Sequence, residues 1–256
     1  MGKTLFMIHG MWGAGWHWDA YRGFFEARGY TCLAPTLRYH DMDPKGRPDP
    51  ALGTLSLFDY AQDLETEIRK LDEPPVLMGH SMGGLLAQIL GSRGLARALV
   101  LLTPAAPRGI LALSPSVLRS FSSVLTKWGF WRNPHRLPYE AAVYAVFHRV
   151  PEAERRALYD RMVYESGRAA TEIGLWLFDP RQAARVDESR VTCPVLAIAG
   201  AEDRVTPAAV VRKVAEKYRT VSTYREFAGQ AHWVLGQPGW EEVAGTVAGW
   251  LQEKGV

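Results

Sequence analysis

Ser81, Asp203 and His232 are the three residues of this chain whose types and surroundings suit nucleophilic chemistry. A serine hydroxyl attacks a carbonyl only if a neighbouring base takes its proton. An imidazole does that best when a carboxylate fixes its tautomer. Ser81 lies in Gly79-His80-Ser81-Met82-Gly83, after the apolar run Pro75-Val76-Leu77-Met78 and before Gly84-Leu85-Leu86-Ala87-Gln88-Ile89-Leu90. The first flank reads as a buried strand and the second as the start of a buried helix. A sharp strand-to-helix turn strains its central residue and pushes that residue's hydroxyl outward. Gly79 and Gly83 suit the close approach of strand and helix around it.

Asp203 stands in Gly200-Ala201-Glu202-Asp203-Arg204-Val205-Thr206-Pro207, just past the apolar run Val195–Ala199. Its place three residues after Gly200 favours it over Glu202. The run before it, Leu101-Leu102-Thr103-Pro104-Ala105, offers no acid. His232, in Gly229-Gln230-Ala231-His232-Trp233, follows a run ending at Phe227 and is the only histidine after Asp203. All three residues therefore follow strands. In a parallel sheet the C-terminal ends of the strands share one edge, where the three can converge.

The elements that must position them alternate along the chain. Strands are expected at Thr4–Ile8, Tyr30–Ala34, Val76–Met78, Ala98–Leu102, Val195–Ala199 and Thr223–Phe227. Helices are expected at Trp18–Arg28, Leu57–Leu71, after Pro207 and from Trp240 onward, with Ser56 and Asp59 forming a capping box for the second. Such alternation implies an α/β fold, a mostly parallel sheet flanked by helices. Two stretches break it. Residues 35–53 are rich in Pro, Gly and Asp and read as a long loop. Residues 105–179 are helical in pattern and rich in aromatics, where one helix would suffice to join two strands. They read as a helical cap inserted into a core formed by residues 1–104 and 180–256. Among the aromatics, Trp128, Trp131 and Trp176 are candidates to line a substrate pocket, together with Trp12, and Phe130 is a further one.

Composition narrows the classes. Hydrophobic residues make up 47% of the 256 residues and charged residues 22%, an ordinary globular balance. A net charge of +3 gives no nucleic-acid signature. No run is long enough to cross a membrane. Met1-Gly2 resembles the start of an acylation signal, but Phe6 stands where Ser or Thr is required. Cys32 and Cys193 are far apart and outside any C-x-x-C, so they read as free thiols in a reducing, cytoplasmic setting. His40-Asp41-Met42-Asp43 lacks further spaced ligands and reads as a polar loop, not a metal site. There is no dinucleotide or phosphate glycine motif, and no cofactor is expected.

At Ser81…Asp203…His232 the chain resembles the α/β-hydrolase family, whose triad runs in this order. His9-Gly10-Met11-Trp12 is similar to the family's His-Gly oxyanion loop. The resemblance implies that the backbone N–H groups of Met11 and Met82 form the oxyanion hole. Trp16 and Trp18 in Gly13-Ala14-Gly15-Trp16-His17-Trp18-Asp19 resemble a plant esterase and hydroxynitrile lyase branch. The family's leading antiparallel strands have no counterpart here. By this resemblance the expected activity is hydrolysis of small to medium carboxylic esters, small molecules being the expected partners. A C–C hydrolase, a hydroxynitrile-lyase-like enzyme or a non-catalytic binding protein on the same fold stay open. Ser81 in place of a carboxylate excludes dehalogenase and epoxide-hydrolase chemistry.

Overall fold

Residues 3–256 are described by the structure, a computed structural model; Met1 and Gly2, where the acylation signal was weighed, lie outside them. Six parallel strands form one sheet in the order β2-β1-β3-β4-β5-β6. They are β1 Thr4–Ile8, β2 Thr31–Leu33, β3 Val76–His80, β4 Ala98–Leu102, β5 Val195–Gly200 and β6 Ser222–Phe227. Strands β3, β4 and β5 are buried along their whole length, as continuous apolar runs covered on both faces must be. β2 is shorter than the sequence pattern suggested, an edge strand of three residues.

Helices α1 Asp19–Glu26, α2 Leu57–Ile68 and α3 Met82–Ser92 alternate with the first four strands. A 3-10 turn, Gly15–Trp18, precedes α1, so the helix starts one residue later than expected. The capping box of α2 is present: the Ser56 hydroxyl accepts from the Phe58 amide and the Asp59 carboxylate accepts from the Ser56 amide. The sheet separates two apolar layers. One packs α2 and α3 against Phe6, Ile8, Leu77, Leu99 and Leu101. The other packs α1 and the C-terminal helix against Leu5, Met7, Met78, Val100 and Leu102. Successive residues of β1, β3 and β4 thus go to opposite sides, the period of two that a pleated strand imposes.

Between β4 and β5 lie α4 Pro115–Leu125, α5 Tyr139–Ala142, α6 Glu152–Asp160 and α7 Gly167–Gly174. A π-helical turn, Val143–Phe147, continues α5. After β5 come α8 Ala208–Lys217 and, beyond β6, α9 Trp240–Lys254. Cys32 and Cys193 are free thiols. Among the described residues no helix is long and apolar enough to cross a membrane, and no His/Cys/Asp/Glu group could hold a metal ion.

Candidate active site

Ser81 closes β3 and caps α3 with φ of 54° and ψ of −120°, a conformation that strains any residue carrying a Cβ. The turn survives because its surroundings hold it. The Ser81 amide donates to Leu102 O, and the Ala105 amide donates to Ser81 O, tying the turn to the end of β4. A side chain at Gly79 would meet Gly83 O at 2.2 Å, and one at Gly83 would meet Ile8 O at 2.0 Å. Backbone approach that close leaves only glycine at both places.

His232 Nε2 lies 3.0 Å from Ser81 Oγ, and His232 Nδ1 lies 2.8 Å from Asp203 Oδ2. All three side chains are buried. Asp203 is fixed from both sides: Oδ1 accepts the amides of Val205 and Thr206, and Oδ2 faces His232 and the Thr206 hydroxyl. These contacts on both oxygens leave the carboxylate plane little freedom. Glu202, the rival acid, points away and pairs with Arg149 at the surface. A histidine so held presents an unprotonated Nε2 to the serine hydroxyl, the arrangement that lets it act as a base.

Met82 is the first residue of α3, so its amide has no carbonyl within the helix to donate to. Met11, in the loop after β1, lines the same cavity as Ser81 and Met82. A Cβ on Gly10 would stand 2.8 Å from Ser81 Cβ, so glycine lets this loop press against the nucleophile. His9 sets the loop's path: its Nδ1–H donates to Gly10 O and its Nε2 accepts from the Leu37 amide. Burial and the nearby His40 push His9 down to about 3, so it is a neutral strut.

Two cavities flank Ser81. The larger offers about 130 Å³ and is lined by Met11, Met82, Ile110, Phe121, Phe130 and Trp176, with other apolar residues of α4 and α7. The smaller, of about 20 Å³, is lined by Met11, Trp12, His17, His80, His232 and Trp233, with Val146, Phe147 and Met162. Trp176 thus reaches the large cavity and Trp12 the small one. Trp128 and Trp131 reach neither. Trp128 is 92% exposed and rests edge-on against Trp131. The sequence reading put both in the pocket. The correction follows from the 3-10 turn Phe130–Arg132, which carries Phe130 inward while its aromatic neighbours stay on the outer side.

Sequence reasoning passed over several residues here. His17, between Trp16 and Trp18, lies beside His80 and Trp233. Glu165 and Glu172, from the segment between β4 and β5, are buried carboxylates. Glu165 meets His40 Nε2 at 3.1 Å, the Tyr60 hydroxyl and the Ser166 amide. Glu172 accepts from the Ser56 hydroxyl, the Leu57 amide and Arg168. The sequence signal for Glu165 was a lone acid after the apolar run Met162-Val163-Tyr164.

A family model described as the alpha/beta hydrolase family matches residues 5–245, nearly the whole chain. The chain belongs to the α/β-hydrolase family. A monoacylglycerol lipase of Mycolicibacterium smegmatis is 30% identical over 187 residues, covering 70% of this chain. This hydrolase spans 62% of that relative's length. A monoacylglycerol lipase structure from Paleococcus ferrophilus has a TM-score of 0.71 at 23% identity, over 98% of this chain and 96% of its own. A pyrethroid hydrolase from Sphingobium faniae has a TM-score of 0.70 at 17% identity, covering 98% of both chains. At such identities the two structures establish the fold that this α/β-hydrolase shares with them.

Proposed function

We propose that this α/β-hydrolase cleaves carboxylic esters of small to medium size through an acyl-enzyme on Ser81. The observation that carries this reading is the hydrogen-bonded line Ser81 Oγ, His232 Nε2, His232 Nδ1 and Asp203 Oδ2 at the strained turn after β3. His232 takes the serine proton as the hydroxyl attacks the ester carbonyl. Asp203 holds the tautomer and stabilises the imidazolium that forms. The amides of Met11 and Met82 receive the developing oxyanion, the role of donors fixed where charge builds up. His232 then protonates the leaving alcohol, and water releases the acid. The chemistry needs no metal or cofactor.

Support for an ester comes from the activities that the names of the similar lipases and of the pyrethroid hydrolase carry. Support for an apolar acyl arm comes from the large cavity, which has room for several carbons and few polar atoms. In this reading residues 105–179 act as a cap over a core formed by residues 1–104 and 180–256, with Trp176 in the acyl wall and Trp12 on the small side. The test is turnover of p-nitrophenyl esters from acetate upward, paired with labelling by an alkyl phosphonate. Turnover should be measurable, and the label should map to Ser81 alone. An unlabelled Ser81 in a protein that still hydrolyses the esters would overturn the assignment.

A further inference from the structure

The outer rim of the large cavity is apolar where a protein surface is ordinarily polar. Among the described residues, the exposed large apolar side chains apart from Tyr39 all fall within residues 111–178. Trp128 is 92% exposed, Phe178 80% and Leu113 62%. Leu113, Leu118 and Leu125 are exposed and also form part of the cavity wall, so the lining continues onto the outer surface. Trp128 rests on Trp131, which in turn meets Phe130, a residue of the wall. The turn Trp176–Phe178 joins the same rim. Trp176 lines the cavity and donates its indole N–H to Ile110 O at 3.3 Å, while Phe178 stays in water. Apolar groups gathered round one opening mark a surface that meets something.

Charge says what it meets. No Asp or Glu stands between Glu73 and Glu140. Within residues 105–139 the cations are Arg108, Arg119, Lys127, Arg132 and Arg136. Arg108 is engaged with Trp176 O, and Arg136 with Pro44 O and Tyr159 O. Arg119, Lys127 and Arg132 are exposed, and among the described residues none of them has a carboxylate partner. Asp179, the acid next to Phe178, turns its carboxylate onto the Arg181 and Ala183 amides. Exposed Trp and Leu beside unpaired Lys and Arg suit the boundary of an anionic lipid layer, where apolar groups enter the acyl chains and cations meet phosphates. A second copy of this chain would bring the same cations face to face, which opposes self-association through this rim.

We propose that this rim docks on an anionic lipid surface, with Trp128 and Phe178 dipping into the acyl layer and Arg119, Lys127 and Arg132 on the headgroup phosphates. Substrate delivery follows, and that part rests on the ester-hydrolase reading. An ester dissolved in the layer enters the cavity along Leu113 and Leu118 and reaches Ser81 without passing through water. Its apolar arm then moves from one apolar medium to another.

The test uses the intact protein and vesicles of phosphatidylcholine with about one quarter phosphatidylglycerol, at low salt. Cosedimentation measures binding and needs no turnover. Wild type should bind these vesicles about a hundredfold more tightly than phosphatidylcholine alone, about fivefold for each of the three cations. The excess should fade as salt is raised. Arg119→Gln/Lys127→Gln/Arg132→Gln should bind both kinds of vesicle alike. Trp128→Gln changes a ring that stands almost wholly in water, and should weaken binding to both about tenfold, the low end for burying a large apolar side chain. In both variants turnover of soluble p-nitrophenyl acetate should stay within about twofold of wild type. Hydrolysis of a medium-chain ester carried in the anionic vesicles should fall in step with binding. Wild type that ignores anionic vesicles, or binding that neither variant weakens, overturns the proposal. So does a dimer in light scattering that Trp128→Gln dissolves, with no binding to vesicles, since the rim would then face a second copy. Vesicle-borne turnover that holds while binding falls overturns the delivery step. Binding as expected in a protein that hydrolyses no ester upholds the docking surface and overturns the ester reading instead.

Discussion

Among the described residues two buried carboxylate–histidine pairs stand out, and one of them faces a serine. Asp203 holds His232 at 2.8 Å, and Glu165 holds His40 at 3.1 Å. The difference lies at the other ring nitrogen. His232 turns its second nitrogen to the Ser81 hydroxyl, which can give up a proton. His40 turns its second nitrogen to Arg38 O, at 3.0 Å, which can only accept. A ring that donates at both nitrogens is an imidazolium. Burial alone would lower the pKa of His40, but the Glu165 carboxylate outweighs it and the net shift is upward. Burial would likewise raise Glu165, and the His40 cation outweighs that, so its carboxyl is held below the usual range. In the proposed reading a carboxylate and a histidine thus make a base in one place, and a fixed ion pair in the other. What the far nitrogen meets decides which.

The largest effects that test this contrast fall on activity. Ser81→Ala should lower kcat by about four orders of magnitude or more, and Asp203→Asn by about four, the amide favouring the wrong tautomer. His40→Gln should leave kcat within a few-fold of wild type in the folded fraction. If the His40 variant loses activity as deeply as the Asp203 variant while its melting temperature holds, the two pairs are not distinct in role.

Next in size is stability. Glu165→Gln removes one partner of a buried pair and leaves the His40 cation without its counter-charge, a change worth about 3–5 kcal/mol. Urea midpoints at pH 7 measure it. A midpoint unchanged from wild type would mean that His40 is not charged in the folded state. Glu202→Gln, at an exposed pair with Arg149, should shift the midpoint very little.

A smaller effect appears on acidification. His9 and His80, pushed down by burial to about 3, stay neutral in the folded protein while the unfolded chain protonates them near 6.5. The unfolded state therefore binds more protons below pH 6.5, and stability must fall as pH falls from there toward 3. Each such histidine costs about 1.4 kcal/mol per pH unit in that window. His40 behaves oppositely: its raised value adds stability that is complete below pH 6.5 and is lost as pH rises through its folded value. Denaturant titrations at pH 5, 6, 7 and 9 should show decline at both ends. A flat profile from pH 7 to 5 would count against the neutral histidines.

The smallest expected effects concern specificity. Trp176→Ala should shift the preferred ester chain length by about tenfold, since a lost apolar contact is worth about 1–3 kcal/mol. Trp128→Ala should leave the ranking of esters as in wild type, because the ring is at the surface. A changed ranking in Trp128→Ala alone would restore the sequence-based placement.

How much of this was readable in the sequence depends on whether the relevant interactions are local. Strands β1 and β3 to β6 and the α2 capping box were legible, because apolar runs and short-range hydrogen bonds act within a few residues. The convergence of Ser81, Asp203 and His232 was legible because parallel strands deliver their ends to one edge. The His40–Glu165 pair was not, since 125 residues separate its members and neither has a periodic context. The aromatics of residues 105–179 announced a surface to cover but not which side of a short turn would face it.

Glu172 has one more consequence. Its carboxylate reaches the Leu57 amide and the Ser56 hydroxyl, so α7 is fastened to the N-terminus of α2 by ionic hydrogen bonds. α4, which also lines the large cavity, is tied down more lightly, by the Ser120 hydroxyl donating to Arg204 O at 3.3 Å and by Arg119 over the Tyr144 ring, and its cavity-lining Leu118 and Leu125 are partly exposed. The cavity therefore has one stiff wall and one compliant wall. A binding space bounded this way measures its guest with a soft ruler. In the proposed reading, an arm longer than the resting cavity would displace α4 at the cost of apolar contacts and one neutral hydrogen bond, whereas branching that presses on α7 would strain charged hydrogen bonds. Tolerance for length and intolerance for width are then expected from the same few residues.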